Sequence, residues 1–307
     1  MYGSVDEYLM PLCPLRFDTH KERYLAIDSY AERLNEFQQV FTDPEQWTAK
    51  GHVVVVVGDR GFGKTSLIQQ YALWLRDKPQ NHCEVAVVDL SDESWRQDEP
   101  RDERLARARN WIVDSLSTVL SEPDVTRIKT NTDMEASFRD LGRVLSTRRD
   151  GDGKALPPIV PVVLLPGNPR LVAAEIDRYY SVARPGMFFF GELLERGDKE
   201  RFESMTPGFR RSSVDLHVFA MDILKSGDAK LLIEWIRNHT GGWPDMPDSI
   251  VKEVIDDYMV KYKLGIAELA KLTWGTLHVA AAAGADVVTI EHINRYFAQN
   301  LYVSQLD

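Results

Sequence analysis

Cysteine is scarce in this 307-residue sequence, which contains only Cys13 and Cys83. Two cysteines so far apart provide neither a disulfide framework nor the paired spacing of a zinc site. The sequence also lacks an uninterrupted run of about 18 apolar residues, the length that a membrane-spanning helix needs. Its first residues lack the basic segment that begins a secretion signal. We therefore expect a cytoplasmic protein without a membrane segment.

Basic residues are in the minority, because 37 Lys and Arg stand against 47 Asp and Glu and give a formal net charge of −10. Nonspecific nucleic-acid binding relies on clustered Lys and Arg. The charge therefore does not favour nucleic acid as a partner, although it allows a local basic face. An apolar content of 44% is ample for a buried core, and the length is typical of about two domains.

Apolar runs of strand length alternate with helical periodicity through the first two thirds of the chain. Such alternation predicts a parallel α/β sheet with crossover helices. The predicted strands are residues 53–57, 84–90, 159–165, 187–190 and 214–219. The predicted helices between and before them are residues 20–41, a helix from residue 65 onward, 105–120 and 131–147, and a loop is expected around Pro44.

The pattern changes after residue 220, where no further strand-like run occurs. Four helices are predicted there, over residues 228–239, 248–263, 265–283 and 289–298. We therefore predict three parts: an N-terminal arm and helix (1–50), a five-stranded parallel α/β domain (51–220) and a small all-helical lid domain (221–307).

The first predicted strand runs into the sequence GDRGFGKT, residues 58–65. This sequence fits the P-loop pattern GxxxxGK[ST] and stands between a buried strand and a helix, as the motif requires. Its glycines let backbone N–H groups and the positive end of the helix dipole face one anionic group. The predicted nucleotide-binding residues are Gly58, Asp59, Arg60, Gly61, Phe62, Gly63, Lys64, Thr65 and Ser66.

Two side chains of this motif have separate predicted roles. Lys64 would contact the β- and γ-phosphates as a point charge, and the Thr65 hydroxyl would bind Mg²⁺. The sequence therefore predicts ATP and Mg²⁺ as ligands, which makes nucleotide binding the first functional expectation.

The order of these motifs resembles the AAA+ superfamily of P-loop proteins, especially its origin-recognition-like and STAND-like branches. The stretch TPGFRRSSVDLHVFAMD is similar to the family's junction before the fifth strand, and ADVVTIEHINRYF to its last lid helix. The resemblance implies that Arg210 or Arg211 acts as an arginine finger toward an adjacent protomer. It also implies a sensor arginine in the lid, where this sequence has Glu268.

The family's second essential motif, an apolar strand that ends in Asp-Glu, has no counterpart here. The strand expected to carry it reads VVLLPGNPRL, so Pro166 and Gly167 stand in place of the acids. Asp89 could substitute and bind the metal if the second strand lay beside the first, although the family's strand order places it at the sheet edge. Glu192, just after the fourth predicted strand, could act instead near the γ-phosphate.

Two functions follow from this resemblance and its departure. The first is an ATP-dependent switch with weak or absent hydrolysis, which controls self-association or the binding of a partner protein. The second is a non-catalytic nucleotide-binding scaffold or interaction module. Elsewhere, His217 has no second ligand at metal-binding spacing along the chain, so the sequence predicts a packed side chain there.

Overall fold

The structure is a computed structural model. It describes residues 12–23, 28–78, 82–93, 99–130, 133–149, 152–166, 173–194, 213–239 and 242–303.

Five strands lie in this part of the chain: β1 (Gly51–Val57), β2 (Glu84–Asp89), β3 (Ile159–Leu164), β4 (Phe188–Leu193) and β5 (Val214–Ala220). The helices before and between them follow a short 3-10 helix, Asp18–Arg23. They are α1 (Asp28–Val40), α2 (Pro44–Ala49), α3 (Lys64–Asp77), α4 (Arg101–Ser115), α5 (Glu122–Thr130), α6 (Met134–Ser146) and α7 (Ala173–Val182).

The C-terminal helices are α8 (Asp228–His239), α9 (Asp248–Ile250), α10 (Asp257–Tyr262), α11 (Ile266–Ala282) and α12 (Ile290–Val303). A π-helical stretch, Val251–Asp256, joins α9 to α10. No helix among the described residues combines the length and the apolar character needed to cross a bilayer.

The strands form one parallel sheet in the order β2-β3-β4-β1-β5. β1 therefore lies between β4 and β5, with Val56 opposite Glu192 on one side and Val54 opposite His217 on the other. Every residue of β1 is buried, as expected for a parallel strand covered on both faces. The carboxyl end of β1, which leads into the P-loop, therefore lies inside the sheet, whereas β2 is an edge strand.

Apolar side chains pack on both faces of the sheet. One face carries Val53 and Val55 of β1 under α4, α5, α6 and α7. The other face carries Val54 and Val56 under α1, α2 and α3. A third apolar cluster is built only from residues between 224 and 293, and Trp274 of α11 lies inside it. The C-terminal helices thus have a core of their own.

The predicted fold class, a parallel five-stranded α/β sheet followed by helices, is confirmed. Helices α5 and α7 were not predicted, and the loop expected around Pro44 is instead helix α2. The Asp43 side chain accepts a hydrogen bond from the Glu45 N–H, and Pro44 occupies the first turn, where proline is favourable. The predicted division of the chain at residues 50 and 220 stays a prediction.

Candidate functional site

The P-loop joins the carboxyl end of β1 to the first turn of α3. Gly61 (φ +84°) and Gly63 (φ +83°) adopt left-handed backbone conformations, which glycine populates without steric cost. Gly63 precedes α3, and no side chain caps this helix. The loop therefore offers backbone N–H groups and a helix N-terminus to an anion, the arrangement that binds phosphate in many proteins.

Lys64 lies inside this loop and is 4% exposed. Its Nζ atom donates hydrogen bonds to the carbonyl oxygens of Gly58, at 2.9 Å, and Asp59, at 2.8 Å. Burial lowers the pKa of Lys64, while the charges of Glu192 and Asp59 oppose that shift. The ammonium group is thus held by the loop's own carbonyls, which leaves it placed to contact an anion bound by the same loop.

Glu192 reaches the same place from the neighbouring strand. It is the fifth residue of β4 and pairs with Val56, the residue before the end of β1. The Thr65 hydroxyl lies beside the Glu192 carboxylate and favours its charged form. Burial raises the pKa of Glu192, although Thr65 and the charge of Lys64 oppose the rise. A hydroxyl beside a carboxylate provides the oxygen ligands that Mg²⁺ prefers, so this donor set fits the metal.

The first turn of α11 touches the P-loop directly. The Ala267 N–H donates a hydrogen bond to the Gly61 carbonyl at 3.0 Å. Gly265, just before the helix, allows this approach: a Cβ atom there would lie 2.7 Å from the Phe62 ring and 2.8 Å from the Gly61 carbonyl oxygen. Any larger residue at 265 would therefore push α11 away from the loop.

Glu268 follows Ala267 in α11, and its carboxylate lies against Gly61. A Cβ atom on Gly61 would lie 2.5 Å and 2.7 Å from the two carboxylate oxygens. The Oε2 atom is buried, and no hydrogen-bond partner for it occurs among the described residues. The Oε2 atom thus lies against Gly61 of the P-loop without a compensating donor from the described residues.

Asp89 does not lie at this site. It ends β2, which β3 and β4 separate from β1, a distance of about 14 Å at the usual strand spacing. Its carboxylate accepts hydrogen bonds from Arg16 Nε at 2.7 Å and Gln69 Nε2 at 2.9 Å. Burial disfavours ionisation, but the bonds from Arg16, Ser91 and Gln69 outweigh it and lower the pKa. The condition for Asp89 to bind the metal, a place beside β1, is therefore not met.

The remaining predicted site residues differ in exposure and in contacts. Asp59 and Arg60 are exposed at the tip of the loop. The Ser66 hydroxyl accepts a hydrogen bond from the Leu12 N–H at 2.9 Å, so it ties the N-terminal segment to α3. Pro166 is buried two residues after the end of β3. Gly167, Arg210 and Arg211 lie outside the described residues.

Sequence reasoning missed the contact between Ala267 and Gly61, because no short motif marks it. The one available signal was Gly265 before an apolar helix, since a glycine at such a position permits close backbone approach. For Glu192, the signal was its place at the end of a buried strand.

Comparison with solved structures supports this description of the fold. The Orc1 protein of Aeropyrum pernix in complex with DNA matches over 90% of this chain and 66% of its own, at 12% identity and a TM-score of 0.57. Drosophila ORC bound to DNA matches over 90% and 67%, at 14% identity and 0.51. The Aeropyrum pernix ORC2 protein, in ADPNP–ADP complexes, matches over 88% and 67%, at 12% identity and 0.50.

The chain thus spans about two thirds of the length of these solved proteins. No protein-family model and no curated protein matches the sequence. At these identities the comparison shows the fold alone, which is similar to that of these origin-recognition proteins. The resemblance drawn from the motifs is therefore confirmed at the level of the fold.

Proposed function

We propose that this protein binds ATP with Mg²⁺ at its P-loop and acts as a nucleotide-dependent switch in a larger assembly, with weak or absent hydrolysis. The observation that carries the proposal is the hydrogen bond from Ala267 to Gly61. Through this bond the lid helix α11 contacts the phosphate-binding loop directly. A ligand that changes the loop must therefore change the free energy of lid docking.

Each residue of the site would have a defined part. Lys64 and the backbone of the loop would bind the phosphates, and Thr65 with Glu192 would hold Mg²⁺ or its water ligands. Bound Mg²⁺ would supply positive charge that neutralises the phosphates. Glu268 would oppose binding, because its carboxylate lies against Gly61. A triphosphate in the loop would repel this carboxylate, so Glu268 gives the lid a direct means of sensing the nucleotide.

The scaffold function stays as a second candidate, and Pro166 favours it. This residue follows β3 where the similar fold would carry acids, and its side chain neither binds a metal nor accepts a proton. Self-association and partner binding belong to the same proposal. Nucleic acid is not favoured, because the net charge of −10 weakens contact with a phosphate backbone.

Hydrogen–deuterium exchange would test the switch. We expect the amides of residues 61–65 and 265–270 to exchange differently with MgADPNP than with MgADP. Replacing Ala267 by proline removes the donor to Gly61, and the first helical turn tolerates proline. Because one net hydrogen bond contributes about 0.5–1.5 kcal/mol, Ala267→Pro should abolish the difference in α11 and leave nucleotide affinity within about tenfold.

Glu291→Pro is the matched control, since it places proline in the first turn of α12. It should preserve the response of α11. If the α11 amides of the wild type exchange identically in saturating MgADPNP and in saturating MgADP, the switch is contradicted. The scaffold function would then be the one that remains.

The Glu268 carboxylate gives a second, independent prediction. Two unit charges 4 Å apart interact by about 4 kcal/mol at an effective dielectric constant of 20. Even a third of that repulsion corresponds to a factor of about ten in affinity. Glu268→Gln, which keeps the shape and removes the charge, should therefore tighten MgATP binding by about tenfold.

Titration calorimetry measures this change, with Glu291→Gln as the control for a lost charge in the first turn of α12. An unchanged or weaker affinity of Glu268→Gln would show that Glu268 does not oppose the phosphates.

A further inference from the structure

Three side chains with metal-binding atoms meet at the amino ends of two neighbouring strands. His52 is the second residue of β1, and Asp215 and His217 lie on β5. His52 pairs with Asp215 across the two strands, and His217 is two residues further along β5. One ligand atom of each lies within 4.8 Å of the other two. The cluster could not be predicted from spacing along the chain, because the strand register creates it.

His52 is buried and His217 is half-buried, and both have buried ring nitrogens without the partners that such groups normally have. His52 is 3% exposed. Neither of its ring nitrogens, nor Nε2 of His217, forms a hydrogen bond of normal geometry with the described residues, although the Gln46 backbone lies close enough to His52 to influence its pKa. An unpaired buried polar group destabilises a fold. Each imidazole therefore has a ring nitrogen without a partner that a cation at this cluster could bind.

Both imidazoles are neutral at physiological pH, as metal binding requires. Burial, together with the charge of His217, lowers the pKa of His52 to about 4, although Asp215 and the Gln46 backbone oppose the shift. Burial, together with the charge of Lys50, lowers the pKa of His217 to about 4, although the charge of Asp215 opposes the shift. Neither nitrogen lone pair is lost to a proton near pH 7.

Aromatic side chains pack against the two imidazoles of this cluster, whereas the carboxylate of Asp215 is accessible to solvent. The His52 ring stacks on Phe188 with centroids 4.4 Å apart, and Phe41 packs edge-on against His217 at 4.8 Å. The Asp215 side chain is 38% exposed, and Lys50 Nζ donates to its two oxygens at 2.9 Å and 3.0 Å. Each carboxylate oxygen has a second lone pair, so Asp215 retains the capacity to bind a cation.

We propose that His52, Asp215 and His217 bind one Zn²⁺ ion. Two imidazoles and a carboxylate are typical zinc ligands, and a water molecule would complete a tetrahedral site. The ion would join the amino end of β1 to that of β5. It would therefore act as a structural clip at the end of β1 opposite the P-loop, and this inference does not depend on the proposed nucleotide function.

The test uses full-length protein freed of any histidine tag and of metal. Titration with Zn²⁺ against a chromophoric chelator should give one ion per chain and raise the thermal unfolding midpoint. Co²⁺, as a spectroscopic substitute, should produce the visible absorption bands of a four-coordinate site. Mg²⁺ should not compete, because it prefers oxygen ligands.

Variants locate the ion. His217→Gln and Asp215→Asn should each weaken Zn²⁺ binding at least about tenfold, since loss of even an outer-shell partner has that effect. Lys50→Met should strengthen binding, because it removes the cation that shares Asp215. His82→Gln, at an exposed position, is the matched control and should bind as wild type does.

Absence of stoichiometric Zn²⁺ binding to the folded wild type would overturn the proposal. So would Zn²⁺ binding that His217→Gln and Asp215→Asn leave unchanged while circular dichroism shows both variants folded. If either variant fails to fold, the Lys50→Met variant still decides, since weaker or unchanged binding there contradicts a site at Asp215.

Discussion

Lys64→Ala should weaken MgATP binding at least about 100-fold, since each hydrogen bond to a charged group contributes about 1.5–3 kcal/mol and Lys64 would contact two phosphates. The variant removes the one ammonium group that the P-loop backbone holds in place, through Gly58 and Asp59. It also leaves those two carbonyls without their donor. Titration calorimetry, or a fluorescent ATP analogue, measures the loss directly.

Arg76→Ala is the matched control for this variant. Arg76 lies in the last turn of the same helix, α3, and its side chain is exposed beside Asp77. The control therefore removes a positive charge from α3 without touching the loop. Equal affinity of the wild type and Lys64→Ala, with both folded, would show that the loop does not bind the nucleotide and would remove the basis of the proposed function.

The P-loop and the sheet could be predicted because each depends on local sequence. A run of valines over residues 53–57 has few alternatives to a buried strand. The glycines that follow it satisfy a backbone requirement at fixed spacing. The helices missed by prediction, α5 and α7, are short, and their apolar periodicity covers too few turns to stand out. Where the pattern was long, as in α11, prediction and structure agree to one residue.

The lid contact and the histidine cluster could not be predicted for a different reason. Both depend on which segments meet in space. Glu268 faces Gly61 because α11 docks on the loop, and His52 faces His217 because β1 and β5 are in one register. The expectation that His217 has no second ligand is wrong, because Asp215, two residues before it, and His52 on the neighbouring strand each have a ligand atom within 4.8 Å of one of its own. The positions of Asp89 and Glu192 likewise depend on the order of the strands, which places β4, and not β2, beside β1.

The position of Glu192 leads to a second prediction with a large expected effect, which concerns the rate of ATP hydrolysis. Glu192 lies beside Thr65 and Lys64, and both residues favour its charged form. Any ATP hydrolysis by this protein should therefore depend on it, either as a base toward water or through Mg²⁺. A general base typically contributes a factor of about 100 to 10,000. Glu192→Gln should thus lower the rate of phosphate release at least about 100-fold and retain MgATP binding within about tenfold.

The raised pKa of Glu192 fits the role of a base, because burial makes its carboxylate a better proton acceptor. Asp89→Asn is the matched control, since Asp89 is the other acid that the sequence suggested and lies at the far edge of the sheet. Steady-state phosphate release should be nearly unaffected in that variant. The reverse result, loss in Asp89→Asn and none in Glu192→Gln, would require the strands to be arranged differently around the nucleotide. Wild-type release no faster than that of Lys64→Ala would instead show that the bound nucleotide stays intact, which is the absent hydrolysis that the proposed function allows and that Pro166 after β3 favours.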